Sequence, residues 1–157
     1  MVDIYEISAV LAAVGVLIGV IYYILDIRHQ RQVRKTDLVI SLSDFGTRRD
    51  FLEACADVFD ADFKDYGDFV KKYGPLFSKK PIPMSFFIVS NFMERVGVLL
   101  SNRLLDISLV SQLMTVTEFW EKMKPVIEGV RQEENNQNYY AYFEYLYNEM
   151  KKREQKV

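Results

Sequence analysis

Nineteen consecutive residues, Ile7 to Leu25, carry no charge at all. At about 1.5 Å of rise per residue, a helix of that length comes close to the roughly 30 Å of bilayer hydrocarbon. A helix in a soluble core seldom stays apolar on every face for so long. Tyr5 stands near one end and Tyr22–Tyr23 near the other, where amphipathic rings favour the headgroup region. The stretch therefore predicts an N-terminal transmembrane helix. A cleavable signal peptide fits poorly, because Asp3 and Glu6 precede the stretch with no base beside them and no small-residue cleavage site follows. Arg28, Arg31, Arg34 and Lys35 all come after the span, and bases near a span stay in the cytoplasm. The expected topology is a single pass through the cell membrane, with the N-terminus outside and the remaining chain cytoplasmic.

Two features of this region bear on partners besides the lipid bilayer itself. Gly15 and Gly19 form a Gly-x-x-x-Gly pattern that Ser8 and Ala12 extend. Such a stripe lets a second helix approach closely in lipid, where packing drives association. It offers a contact to a second copy or to another membrane protein, although glycine is common in spans that make no such contact. If the helix continues past Asp26, then Arg28, Arg31 and Lys35 share a face at spacings of three and four. With Arg34 they form a candidate lipid-headgroup set; topology signalling with snorkelling side chains is the simpler reading of the same residues. Asp26 reads as an interfacial acid.

The chain divides on this basis into an anchor with its basic flank (1–35), a cytoplasmic helical domain (36–152) and a charged tail (153–157). Apolar residues make up 50% of the chain and charged residues 27%, a globular balance. Residues through Lys35 sum to +1, leaving −3 for the rest of a chain whose total is −2. An acidic domain argues against a nucleic-acid partner. One cysteine, Cys55, forms no intramolecular disulfide, and with one histidine the common zinc sets are excluded.

Helical periodicity recurs along the domain. Leu38, Leu42 and Phe45 extend the first helix towards a stop at Gly46. Arg48 to Phe59 places Phe51, Cys55, Val58 and Phe59 on one face. A short helix over Tyr66–Tyr73 ends at Gly74-Pro75. Pro81 and Pro83 mark a loop, and Met84–Leu105 is the expected central helix, with Phe86, Val89, Met93, Val96 and Leu100 inward. Asp106 is a candidate N-cap. Thr115 and Glu118 have capping-box spacing, and Pro125 should kink or divide the helix that follows. Glu133–Asn138 is turn-like, and a last helix runs over Tyr139–Lys152. Two-residue alternation is scarce. The fold class is all-α: one transmembrane helix and a small bundle of about five to six helices.

Motifs of catalysis are missing. The acids Asp57, Asp60, Asp62, Asp65 and Asp68 suggest a calcium loop, but registered from Asp60 they put Lys64 at position five, Asp65 at the glycine position and Lys71 at position twelve. Caps and turn acids explain them better. His29 is far in sequence from Cys55, which reads as a small buried hydrophobe. No phosphate-binding loop, nucleophile elbow or dinucleotide fingerprint occurs. No catalytic, cofactor or metal residue is expected. Glu94, on the long helix, is expected to cap, pair or face solvent.

The oddest composition is C-terminal: Tyr139, Tyr140, Tyr142, Phe143, Tyr145 and Tyr147. They cover most of a helix circumference, so Tyr139, Tyr140, Tyr142 and Tyr145 are a candidate partner surface; rings buried beneath wet hydroxyls are the ordinary alternative.

Five local strings carry a resemblance: Tyr22-Tyr-Ile-Leu-Asp-Ile-Arg-His-Gln30, Thr36-Asp-Leu38, Lys72-Tyr-Gly-Pro75, Phe119-Trp-Glu-Lys122 and Phe143-Glu-Tyr-Leu146. In these the chain resembles an uncharacterised prokaryotic family, domain of unknown function 4760. The resemblance implies an N-terminal anchor and a helical cytoplasmic domain, and supplies no activity or binding residues. The functional expectation is a membrane-tethered interaction protein, an adaptor or accessory subunit. The alternative is a membrane-anchored sensor holding a small apolar ligand between its helices.

Overall fold

The computed structural model describes residues 3–155. Seven helices and no strand occur among them: α1 (Ile4–Gly46), α2 (Arg49–Asp60), α3 (Tyr66–Tyr73), α4 (Pro81–Ser101), α5 (Ile107–Leu113), α6 (Val116–Glu133) and α7 (Ala141–Glu154). The fold is all-α, with six helices after the first, as the periodicity predicts. Contacts separate two units, one up to Ile40 and one from Ser41 onward.

The first unit is helix from Ile4 onward, and its large apolar side chains lie open: Leu11 is 67% exposed, Leu17 62% and Ile18 62%. Helix α1 is apolar on all sides there, so it has no inward stripe to bury.

In the second unit the core forms where apolar stripes meet. Helix α4 packs most extensively on α7 and α2, and α6 on α7 and α3. Phe86, Val89, Met93 and Val96 bury along α4, and Val116, Trp120, Met123, Ile127 and Val130 along α6. Trp120 meets Phe143 edge-on at 5.0 Å and stacks on Tyr147 at 5.7 Å. Pairs of this kind contribute about 0.5–1.5 kcal/mol each beyond area burial.

Several boundaries have chemistry the sequence predicts. Asp65 caps α3 by accepting the Asp68 N–H at 2.9 Å, and Gly74 closes that helix at φ 101°, a conformation costly for any residue with a Cβ. Asp106 caps α5 by accepting the Ser108 N–H at 2.8 Å.

Others differ. Pro81 and Pro83 open α4 instead of preceding it; the first-turn N–H groups have no helical partner, so proline loses nothing there. That helix ends at Ser101 through a turn in which Arg103 is left-handed, φ 58°. Thr115 stands at the start of α6 without a side-chain cap bond, so the predicted capping box does not form. Helix α6 runs undivided through Pro125, held by the burial on either side. Tyr140 adopts the left-handed conformation at φ 56° and ψ 36°, which delays α7 to Ala141. On α2, Ala54 takes the buried position between Phe51 and Val58, while Phe59 is 45% exposed.

Candidate functional site

Three of the acids that suggest a calcium loop are spent on structure. Asp57 accepts the Ser85 hydroxyl at 2.6 Å, Asp65 caps α3, and Asp68 pairs with Lys72 at 3.1 Å. Among the described residues no group of three or more His, Cys, Asp or Glu is placed to hold a metal ion.

Two constellations remain. The first is polar and lies where α7 begins. Glu94 of α4 accepts the Phe143 backbone N–H at 2.7 Å. Helix N-termini present unpaired N–H groups and positive dipole, so the carboxylate serves as a cap supplied from another helix. One turn further on, Gly97 lies against the backbone of Tyr142: a Cβ built there would stand 2.0 Å from the Tyr142 carbonyl oxygen. Arg131 of α6 completes the junction. Its Nε donates to the Tyr139 carbonyl at 2.9 Å, its guanidinium pairs with Glu144 at 2.8 Å, and its central carbon lies 5.9 Å from the centroid of the Trp120 ring.

Burial pushes the Glu94 carboxyl upward despite the N–H groups it accepts and the Arg131 charge nearby. Burial, with the Glu94 charge, pushes the Tyr140 hydroxyl up to about 12. Their geometry is that of a clamp joining α4, α6 and α7.

The second constellation is concave. A pocket of about 330 Å³ lies between the end of α1, α2, α4 and the α5–α6 junction. Phe51, Phe59, Phe92 and Phe119 line it, with Cys55 and Met93 among the rest. Phe45 of α1 stacks on Phe92 at 5.0 Å and meets Phe51 at 5.1 Å, fixing one wall. Phe59 meets Phe119 at 4.6 Å on another. Leu42, Ser43, Gly46 and Thr47 bring the last turn of α1 to it. Burial raises the Cys55 thiol to about 11. The volume lies at the small end of the range that takes ligands, about 300–1,000 Å³.

Residues 9–150 match the family described as Domain of unknown function (DUF4760). The chain belongs to this family. No curated protein and no solved structure matches the chain. The DUF4760 match takes in most of the uncharged stretch, the pocket and the α7 clamp alike.

The sequence-derived site residues of this DUF4760 chain fall in different places. Ser8, Ala12, Gly15 and Gly19 are exposed on α1, and a Cβ at Gly15 or Gly19 would meet nothing within 4 Å. Arg28, Arg34 and Lys35 are exposed too, whereas the Arg31 side chain lies outside the described residues. The tyrosine set splits. Tyr140 is buried at 7% exposure and Tyr139 is half-buried, while Tyr142 and Tyr145 are exposed at 45% and 38%. Glu94 caps, as one of its expected roles. The pocket escapes sequence reasoning, because its walls come from segments far apart in the chain and Cys55 alone gives no hint of a cavity.

Proposed function

We propose that this DUF4760 protein is a membrane-tethered helical interaction protein, an adaptor or accessory subunit. Its α1 crosses the cell membrane once, with the N-terminus outside and the unit from Ser41 onward in the cytoplasm. The observation that carries the reading is the open apolar surface of α1 between Ile7 and Leu25, where Leu11, Leu17 and Ile18 are each more than 60% exposed. Surface of that extent in water demands a cover, and lipid supplies it. The exposed Arg28, Arg34 and Lys35 give the inward bias and meet anionic headgroups. Gly15 and Gly19, open to close approach, and the exposed Tyr142 and Tyr145 are the contact surfaces. Tethering raises the effective concentration of the domain towards any partner at the same membrane.

Extraction of native membranes in mild detergent, with sizing of the complex and mass spectrometry of what co-purifies, tests this. A defined assembly holding a stoichiometric second protein, or a homodimer lost on Gly15→Leu with Gly19→Leu, supports the reading. A monomer that retrieves nothing removes its basis. The pocket favours a second reading, a membrane-anchored sensor of a small apolar ligand.

A further inference from the structure

We propose that the pocket between the last turn of α1, α2, α4 and the α5–α6 junction is a binding site for one uncharged, mainly hydrocarbon molecule of about ten carbons. The proposal rests on the sensor reading and gives it a site and a ligand class. Size comes first. The pocket of about 330 Å³ is roughly twice the about 150 Å³ dry cavity that takes up benzene. A two-ring aromatic or a chain of similar bulk fills it.

Charge comes second. No Asp, Glu, Lys, Arg or His lines the pocket. A carboxylate or ammonium taken inside would lose its hydration with no counter-charge, at a cost of several kcal/mol. The lining therefore selects against ions. The Cys55 thiol, which burial keeps protonated far above its usual range, registers the same environment.

Shape and polarity come third. Phe51 and Phe92 stand 4.6 Å apart on one wall, and Phe59 and Phe119 equally close on another, presenting ring edges and faces to an occupant. The hydroxyls of Ser43, Thr47 and Thr115 are the polar groups at the rim apart from the backbone and the thiol, enough to meet a single hydroxyl or carbonyl on the ligand. Leu52, Phe59 and Leu113 are 54%, 45% and 47% exposed around the opening, apolar surface that a bound molecule would partly cover.

The test uses the full chain in lipid nanodiscs with 13C-methyl-labelled methionine. Met93 and Met114 line the pocket, whereas Met123 and Met150 are buried elsewhere. Titration with 1-naphthol, a neutral two-ring molecule with one hydroxyl, should shift the Met93 and Met114 methyl resonances saturably and leave Met123 and Met150 in place. Naphthalene-1-sulfonate, the same rings with a charge, should bind at least about tenfold more weakly. Cys55→Phe fills the space and should abolish saturation. Thr115→Phe, from the rim, does so independently, with the Met123 and Met150 resonances reporting that the core is intact. Shifts that rise linearly without saturation, shifts equal at all four methionines, or equal binding of the sulfonate overturn the site. Saturable binding that leaves the detergent-extracted assembly unchanged keeps the site and overturns the sensing role.

Discussion

Glu94 on α4 and Phe143 on α7 are 49 residues apart in sequence, yet the carboxylate of one holds the backbone N–H of the other at 2.7 Å. The first turn of α7 has no cap of its own, since its N-cap position is the left-handed Tyr140, whose side chain makes no capping bond. Removing an N-cap costs about 0.5–2 kcal/mol. Glu94→Ala should therefore lower stability by about 1–2 kcal/mol, read from urea unfolding of the detergent-solubilised chain. Glu94→Gln, which keeps an acceptor, should lose less. Equal losses from both would show that charge, not the hydrogen bond, holds the junction.

The same carboxyl sets a pH dependence. Burial raises its value above 4.5 in the folded chain, so the folded state binds this proton more tightly than the unfolded state does. Its stabilising contribution is complete below pH 4.5 and declines as pH rises through the folded value. Wild type should lose stability relative to Glu94→Gln over that interval. Parallel pH profiles of the two unfolding midpoints would contradict it.

Two glycines separate packing from mere composition. At Gly97 a Cβ would meet the Tyr142 backbone at 2.0 Å, and backbone cannot swing aside. Gly97→Ala should destabilise by about 1–3 kcal/mol, against the roughly 1 kcal/mol that alanine otherwise gains in a helix. At Gly129 the obstruction is the Tyr66 ring. Gly129→Ala should displace that ring and break the Tyr66–Glu133 hydrogen bond, which currently helps to push the Tyr66 hydroxyl upward. Its phenol should then titrate at lower pH, visible in ultraviolet absorbance. Gly15→Ala, with open space around it, should keep that helix gain and raise stability by up to about 1 kcal/mol.

How much of this was legible depends on the range of the interaction. Local chemistry reads well: Asp65, Asp106 and Gly74 cap or close the helices that their spacing marks, and Phe86, Val89, Met93 and Val96 bury along one stripe. Gly97 and Gly129 look alike in sequence, as isolated glycines in helical patterns, and only the neighbouring helix tells what each admits. Tyr140 reads as one of several candidate surface tyrosines because a left-handed residue before α7 has no sequence mark when it is not glycine or asparagine. The capping box at Thr115 has the right spacing and does not close, since spacing places the residues without fixing the rotamers. The aromatic pocket needs four segments brought together, and no periodicity within one helix encodes that.

Pro125 sits inside α6 and removes one backbone hydrogen bond from it. The helix stays whole because Met123, Val126 and Ile127 on either side of the proline are fully buried. Pro125→Ala restores the donor without removing core volume, and the residue is only half-buried. Stability should rise by about 1 kcal/mol, less than the roughly 3 kcal/mol difference in isolated helices because the packing around the proline is already adapted to it. A loss in the thermal midpoint would mean that the proline ring makes contacts the helix depends on.

Cys55 offers a readout of the pocket environment that needs no ligand. Its thiol is raised from 9.0 to about 11 by burial and is only half-buried in fact, so a small neutral reagent can reach it. Two units mean about 100-fold less thiolate at any pH below 9. A more basic thiolate is also the better nucleophile, with a Brønsted coefficient of about 0.4–0.5, which offsets close to half of that deficit on the logarithmic scale. Iodoacetamide should therefore label the native chain about tenfold more slowly than the denatured chain at pH 7–8. The ratio should stay constant up to about pH 9, where the denatured thiol becomes fully ionised, and narrow beyond it as the native thiol continues to titrate. Equal rates at pH 7–8 would place Cys55 in water and remove the apolar wall that it is taken to form.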